Sequence, residues 1–217
     1  ALMPTYARLP VAFRRGEGAW LEDSNGRWHL DALSGIAVCG LGHAHPAVAA
    51  AVAEQAGTLV HTSNLYDIPH QNTLGERLCA LSGLDQVFFA NSGAEANEAA
   101  IKLARLHGHG RGIETPEIIV ADNAFHGRTL GALAATGNSK AQTGFGPLPA
   151  GFRRVPYGDI AAIEAAATPH TAAIFVEPIQ GEGGINVPPP GYLAALRALC
   201  DRHGWLLMLD EVQSGVG

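Results

Sequence analysis

A chain of 217 residues that is 47% hydrophobic and 16% charged carries enough apolar side chain for a sizeable core, which excludes a disordered tail and fits one large domain with a small appendage. The net charge is -6 and the 14 Lys and Arg form no dense run, so nothing in the chain suits a phosphate backbone and no nucleic-acid partner is expected. The longest apolar stretches, such as Trp205 to Leu209, fall far short of the ~20 residues of a membrane helix, and no charged-then-apolar leader opens the chain, so a soluble, cytoplasmic protein without a membrane partner is expected.

In chain order, the first signal is Asp23-Ser24-Asn25-Gly26 between the short alternating runs of Ala19 to Asp31. An Asn-Gly pair there predicts a hairpin, because both turn positions accept positive φ. The alanine-rich run from Pro46 to Gly57 has proline near its start and glycine at its end, as a helix does, and Asn72 to Leu81 predicts a second. A regular alternation follows. Strands are predicted at Val87–Ala90, Ile118–Ala121, Ala173–Val176 and Leu206–Leu209, with helices at Glu95–Leu106, Ile160–Ala167 and Gly191–His203. The strand segments are continuously apolar, the pattern of strands covered on both faces, so the expectation is an α/β fold with a mostly parallel sheet sandwiched by helices.

Cys39, Cys79 and Cys200 are odd in number and far apart, which fits buried, reduced thiols better than disulfides or a zinc knuckle. The close pairs His43/His45 and His107/His109 have no acidic or cysteine partner at ligand spacing, so turn or surface histidines are expected and no metal site.

Each predicted strand is followed at once by polar and glycine-rich residues: Asn91 to Glu95, Asp122 to Arg128, Glu177 to Gly184, and Asp210 to Gln213. In open α/β sheets ligands bind beyond the carboxyl ends of the strands, so these clusters predict one ligand crevice. Ser92-Gly93-Ala94-Glu95 has the Ser-x-x-Glu form of a capping box. Plain helix capping is its first reading, and a phosphate cradle of free N–H groups at a helix start is the second. Neither G-x-x-x-x-G-K-[ST] nor G-x-G-x-x-G after a strand occurs, which removes the main support for a nucleoside triphosphate or a dinucleotide. Asp210 follows a strongly apolar strand, where an ionised carboxylate calls for a cation. A protonated pyridine nitrogen would serve, and a cap or a metal ligand is the commoner use of such an acid. Phe125 could stack on an aromatic cofactor and Arg128 could grip a carboxylate, or the two are a core phenylalanine and a surface arginine.

Four ordered segments, Ala90-Asn91-Ser92-Gly93-Ala94-Glu95-Ala96-Asn97-Glu98 continuing to Arg105, Phe125-His126-Gly127-Arg128, Glu177-Pro178-Ile179-Gln180-Gly181-Glu182-Gly183-Gly184, and Asp210-Glu211-Val212-Gln213-Ser214-Gly215, resemble the signatures of the class III, fold-type I aminotransferases. The opening, with Tyr6 to Pro10, Leu33 to Val38 and Gly42-His43-Ala44-His45-Pro46, resembles the acetylornithine branch of that family. The resemblance implies a small N-terminal α+β segment with its connecting helix over residues 1–60, and over 61–217 part of the large domain that binds pyridoxal 5'-phosphate. It implies that Gly93 and Ala94 hold the cofactor phosphate with Ser92 as their cap, and that Phe125 and Val212 cover the two faces of the pyridine ring. Asp210 pairs with the ring nitrogen as the catalytic acid, Gln213 approaches the phenolic oxygen, and Glu211 stands among the cofactor contacts. Arg128 and Glu182 serve the substrate. It also implies a homodimer, with His61 to Tyr66 as a contributor across the interface or an ordinary loop.

The implied activity moves the terminal amino group of N2-acetyl-L-ornithine to 2-oxoglutarate, in arginine biosynthesis; ornithine, 4-aminobutyrate or succinylated donors are the alternatives within the family. The Schiff-base lysine of the family falls after the Asp-Glu-Val-Gln segment, beyond Gly217, and Lys102 and Lys140 do not match it. The 217 residues alone are therefore expected to be inactive, and a noncatalytic cofactor-binding module is a further reading. An α/β carbohydrate- or nucleotide-binding enzyme has the strand-end clusters but none of the motifs.

Overall fold

The computed structural model describes residues 1–215, and the chain forms two compact units, Ala1–Asp85 and a second from Gln86 onward. The first unit is built on an antiparallel meander of β1 (Phe13–Glu17), β2 (Trp20–Asp23) and β3 (Trp28–Leu30). Its turn differs from the two-residue Asn-Gly type. Among the turn residues only Gly26 has positive φ, at 81°, and the loop closes wider, through Asp23 N–H donating to the Arg27 carbonyl at 2.8 Å. The cause is the Asp23 side chain, whose Oδ1 accepts the Asn25 and Arg27 amides at 2.8 and 2.9 Å, an Asx-type closure that competes with the tighter turn. A one-turn segment, α1 (Ser34–Ala37), follows with Gly35 and Ile36 in left-handed conformation. Helices α2 (Pro46–Thr58) and α3 (Pro69–Ser82) each start on proline, whose missing N–H costs nothing there, and α3 stops at Gly83 with φ 72°. Neither buries a residue.

The second unit is a three-layer α/β/α assembly. A four-stranded sheet in the order β5-β4-β6-β7 contains β4 (Glu117–Ala121), β5 (Phe152–Val155), β6 (Thr171–Val176) and β7 (Leu206–Leu209), and every pairing is parallel. Alternate residues of the central strands feed two cores. Ile118, Val120, Ala173 and Phe175 face Ile101 and Ala104 of α4 (Gly93–Gly110). Ile119, Ala121, Ile174 and Val176 face Ile163 of α7 (Ile160–Ala166) and Leu196, Leu199 and Cys200 of α8 (Tyr192–His203). Burial on both faces is why these strands read as unbroken apolar runs. The connection from β4 to β5 carries α5 (Leu130–Ala135) and α6 (Ser139–Gln142).

One strand expectation is corrected, and one strand was not expected. Val87–Ala90 is not a strand: an apolar run becomes one only when a neighbouring ladder accepts its amides, and no described strand pairs with it, leaving Phe88 75% exposed. Conversely β5, Phe-Arg-Arg-Val, has no apolar run, because as an edge strand it lets Arg153 and Arg154 sit half outside. Of the cysteines only Cys200 is buried; Cys39 and Cys79 are partly exposed, and all three are free. No described helix is long and apolar enough to cross a membrane.

Candidate active site

Because the sheet is parallel, β4, β6 and β7 end on one edge. The chain leaves β4 toward β5 on one side and, from β6, goes to β7 on the other, so the connections leave the two central strands in opposite directions, the arrangement that opens a crevice at their carboxyl ends. The four polar clusters meet at this edge through named contacts. Asn97 of α4 donates to Asp210 Oδ2 at 2.8 Å, the Phe125 amide donates to Glu177 Oε2 at 3.1 Å, His126 Nδ1 lies 2.8 Å from Asp210 Oδ2, and Gln213 Nε2 donates to Glu182 Oε1 at 3.3 Å.

The start of α4 is built by its sequence. Ser92 is extended at the N-cap and its hydroxyl accepts the Glu95 amide at 3.2 Å. Glu95 reaches back to the Asn91 amide at 2.7 Å, one residue further than in the usual reciprocal box. These bonds use the amides of Asn91 and Glu95, while those of Gly93 and Ala94 fall in the first turn, where helix amides have no intrahelical acceptor. Gly93 is required by close approach: a Cβ there would stand 2.8 and 2.9 Å from the γ-methyls of Val212. Gly127, at φ 132°, lets the loop after β4 close on the same turn, where a Cβ would meet Ala94 Cβ at 2.9 Å.

Asp210 is the most constrained charge in the unit. It is 7% exposed, its amide donates to the Val176 carbonyl at 2.9 Å, and its Oδ1 accepts the Val212 amide at 3.1 Å. Burial pulls its carboxyl upward, but hydrogen bonds from His126, the Val212 amide and Asn97 outweigh that and hold it below the ordinary carboxylate value. Glu177, at the end of the neighbouring strand β6, is shifted the other way: burial pushes it above its ordinary value despite the Phe125 and Gly181 amides. Two neighbouring carboxyls thus have opposed tendencies, one kept as an anion and one pressed toward the neutral acid.

Phe125 is half-buried and the Arg128 guanidinium carbon lies 5.9 Å from its ring centroid. Arg128, Glu182, Glu211, Val212 and Gln213 are exposed along the rim, as is Ser92, while Gly93 and Ala94 are half-buried. Lys102 and Lys140 are exposed on α4 and α6. Three residues that motif reading did not single out sit in the middle of the site: Asn97, His126 and Glu177, exposed by 7%, 1% and 5%. Asn97 could have been found from helical spacing, since Asn97, Ile101, Ala104 and Gly108 share the buried face of α4 and a buried amide demands partners. His43, which has no acidic partner at ligand spacing in the sequence, lies with Nε2 2.7 Å from Oδ2 of Asp31, twelve residues earlier.

The chemistry of this donor set fits an aromatic, cationic, phosphorylated ligand: an ionised acid at the carboxyl edge, amides at a helix start without an intrahelical acceptor, and an aromatic ring, Phe125, in the loop after β4. Residues 2–217 match the model of the aminotransferase class-III family, and the chain belongs to that family. It is 60% identical over 218 residues to an acetylornithine aminotransferase of Nitrosomonas europaea, with all of this chain and 56% of the relative covered. It is 56% identical over 217 residues to an acetylornithine aminotransferase of Gloeobacter violaceus, covering 54% of it. Among solved structures, the ornithine aminotransferase of Toxoplasma gondii superposes with a TM-score of 0.95 at 37% identity, over 99% of this chain and 52% of that one. The N-acetylornithine aminotransferase of Stenotrophomonas maltophilia does so with a TM-score of 0.83 at 40% identity, over 98% and 53%. The fold is that of the fold-type I aminotransferases, and the chain spans about half the length of the relatives it matches.

Proposed function

We propose that these residues form the cofactor-binding part of an enzyme that transfers the terminal amino group of N2-acetyl-L-ornithine to 2-oxoglutarate, with pyridoxal 5'-phosphate as cofactor. The observation that carries this reading is a buried Asp210 at the carboxyl edge of the sheet, held as an anion by Asn97 of α4, His126 of the loop after β4 and the Val212 amide. Bound pyridoxal phosphate supplies an electron sink for the amino-bearing carbon of the substrate.

The residues of this chain do the holding. The amides of Gly93 and Ala94, backed by the α4 dipole and the Ser92 cap, bind the phosphate dianion. Phe125 and Val212 enclose the pyridine ring and exclude water from its faces, and Asp210 keeps the ring nitrogen protonated, the state in which the ring withdraws electrons best. Gln213 approaches the phenolic oxygen, with Glu211 beside it. Arg128 takes a substrate carboxylate through its planar fork, and Glu182, already held by Gln213 at 3.3 Å, lies beside it. Neither Lys102 nor Lys140, both exposed on their helices, is taken as the Schiff-base lysine in this reading. A homodimer, cytoplasmic location and a role in arginine biosynthesis complete the proposal.

A second reading has its own support: the higher TM-score belongs to an ornithine aminotransferase, so ornithine is the competing donor. The test is a substrate titration of the complete holoenzyme, following the absorbance of bound cofactor with N-acetylornithine, ornithine and 4-aminobutyrate in turn. Acetylornithine is expected to change the spectrum at the lowest concentration. A stronger response to ornithine would move the assignment to that reading, and no response to any amine would leave the noncatalytic module.

A further inference from the structure

Asp210 has four acceptor positions, two on each carboxylate oxygen. Oδ2 receives Asn97 Nδ2 at 2.8 Å and His126 Nδ1 at 2.8 Å, which fills it. Oδ1 receives the Val212 amide at 3.1 Å, which leaves one lone pair. An ionised carboxylate can only accept, so the contact with His126 fixes that ring as the Nδ1–H form or as the imidazolium. Its other nitrogen, Nε2, is buried with no partner. A buried polar atom left unsatisfied is costly, and a core position 1% exposed would hold an apolar side chain more cheaply. The ring is also fixed in plane: Phe175 of β6 stacks on it at 3.9 Å between centroids and 16° between planes. Asn97 spends its second N–H on the His126 carbonyl at 2.7 Å, so one amide ties α4, the loop after β4 and the acid after β7 together.

We propose that His126 and Asn97 are positioning residues that saturate one oxygen of Asp210, so that the single acceptor position left on the other oxygen receives the ring N–H of the cofactor. The inference rests on the reading of Asp210 as the partner of that nitrogen. Neither residue touches the reacting atoms; each acts through the direction and the charge of Asp210.

The experiment uses the complete holoenzyme and four variants, His126→Leu, His126→Asn, Asn97→Ala and Asp210→Asn. Dissociation constants for pyridoxal phosphate are measured by absorbance titration, the 15N chemical shift of cofactor labelled at the ring nitrogen reports its protonation, and apoprotein melting temperatures report folding. His126→Leu and Asn97→Ala are expected to weaken cofactor binding about tenfold or more, the fold-change of one lost charge-assisted hydrogen bond, and to move the 15N signal toward the unprotonated position. His126→Asn, whose amide can donate where Nδ1 does, is expected to restore most of the affinity and the protonated signal. Variants that only melt earlier, with unchanged cofactor affinity and 15N shift, would overturn the proposal, because a purely structural role leaves the ring nitrogen alone. Asp210→Asn separates the two layers. If it loses affinity and ring protonation while the His126 and Asn97 variants do not, the positioning inference falls and the reading of Asp210 stands. If Asp210→Asn matches the unaltered protein, that reading falls as well.

Discussion

Replacing Gly93 by alanine tests the site with a single methyl group. Its Cβ would lie 2.8 and 2.9 Å from the Val212 γ-methyls, against about 3.5 to 4.0 Å for an ordinary carbon contact, so Val212 must retreat by roughly 0.7 to 1.2 Å. Val212 is 62% exposed, and the retreat therefore opens no cavity in either core. Alanine at the first turn of α4 also restricts the unfolded chain, so apoprotein stability is expected to hold or to rise by up to about 1 kcal/mol. The cost falls on the ligand. A valine displaced by that distance no longer lies flat against a bound ring, and cofactor binding is expected to weaken about tenfold, or ~1.4 kcal/mol. Thermal melting of the apoprotein and an absorbance titration with pyridoxal phosphate measure the two quantities separately. Unchanged affinity with unchanged melting would refute the placement of Val212 against the cofactor, and a fall of several degrees in the apoprotein would show that Val212 cannot yield.

In the core, Leu196→Ala removes a fully buried side chain that α8 packs against β4 and β6; chemical denaturation is expected to show a loss of about 2–5 kcal/mol, and a loss under about 1 kcal/mol would mean that the layer is not packed as described. The first unit should be acid-sensitive. The Arg27 amide, with His29 and Asn25, holds Asp23 well below the usual carboxylate range, and His43 with the Ser34 amide lowers Asp31. Carboxyls with depressed folded values stabilise above their unfolded pKa of about 3.9 and lose that contribution as pH falls through the folded values. In a Trp205→Phe background, where Trp20 and Trp28 of the first unit are the remaining tryptophans, fluorescence is expected to report an acid transition that Asp23→Asn and Asp31→Asn flatten. An undiminished transition in the double variant would place the acid sensitivity elsewhere.

The sequence by itself determined the parallel α/β layer and the edge of the sheet at which the polar clusters gather. Ile118–Ala121 and Ala173–Val176 are apolar without interruption because both faces are covered, and a pattern that arises from burial on both sides is readable residue by residue; Leu206–Leu209 has the same run although it is only partly buried. Two helix starts were legible for a local reason too: proline at Pro46, and Ser92 with Glu95, act within one turn of chain, whereas the helix predicted from Asn72 starts three residues earlier, at Pro69. Tertiary structure decided whatever depends on a partner distant in the chain. Val87–Ala90 has strand composition but pairs with no strand among the described residues, and Phe152–Val155 has arginines but does join a ladder. The site divides in the same way. Ser92, Gly93, Phe125, Arg128, Asp210 and Gln213 stand in recognisable runs; Asn97 and His126 stand in the same runs, but their part in the site does not show there, because they meet Asp210 across 113 and 84 residues of chain. A hydrogen-bond partner that far away leaves no local pattern, because only the packing of α4 against the sheet brings the donors to the acid.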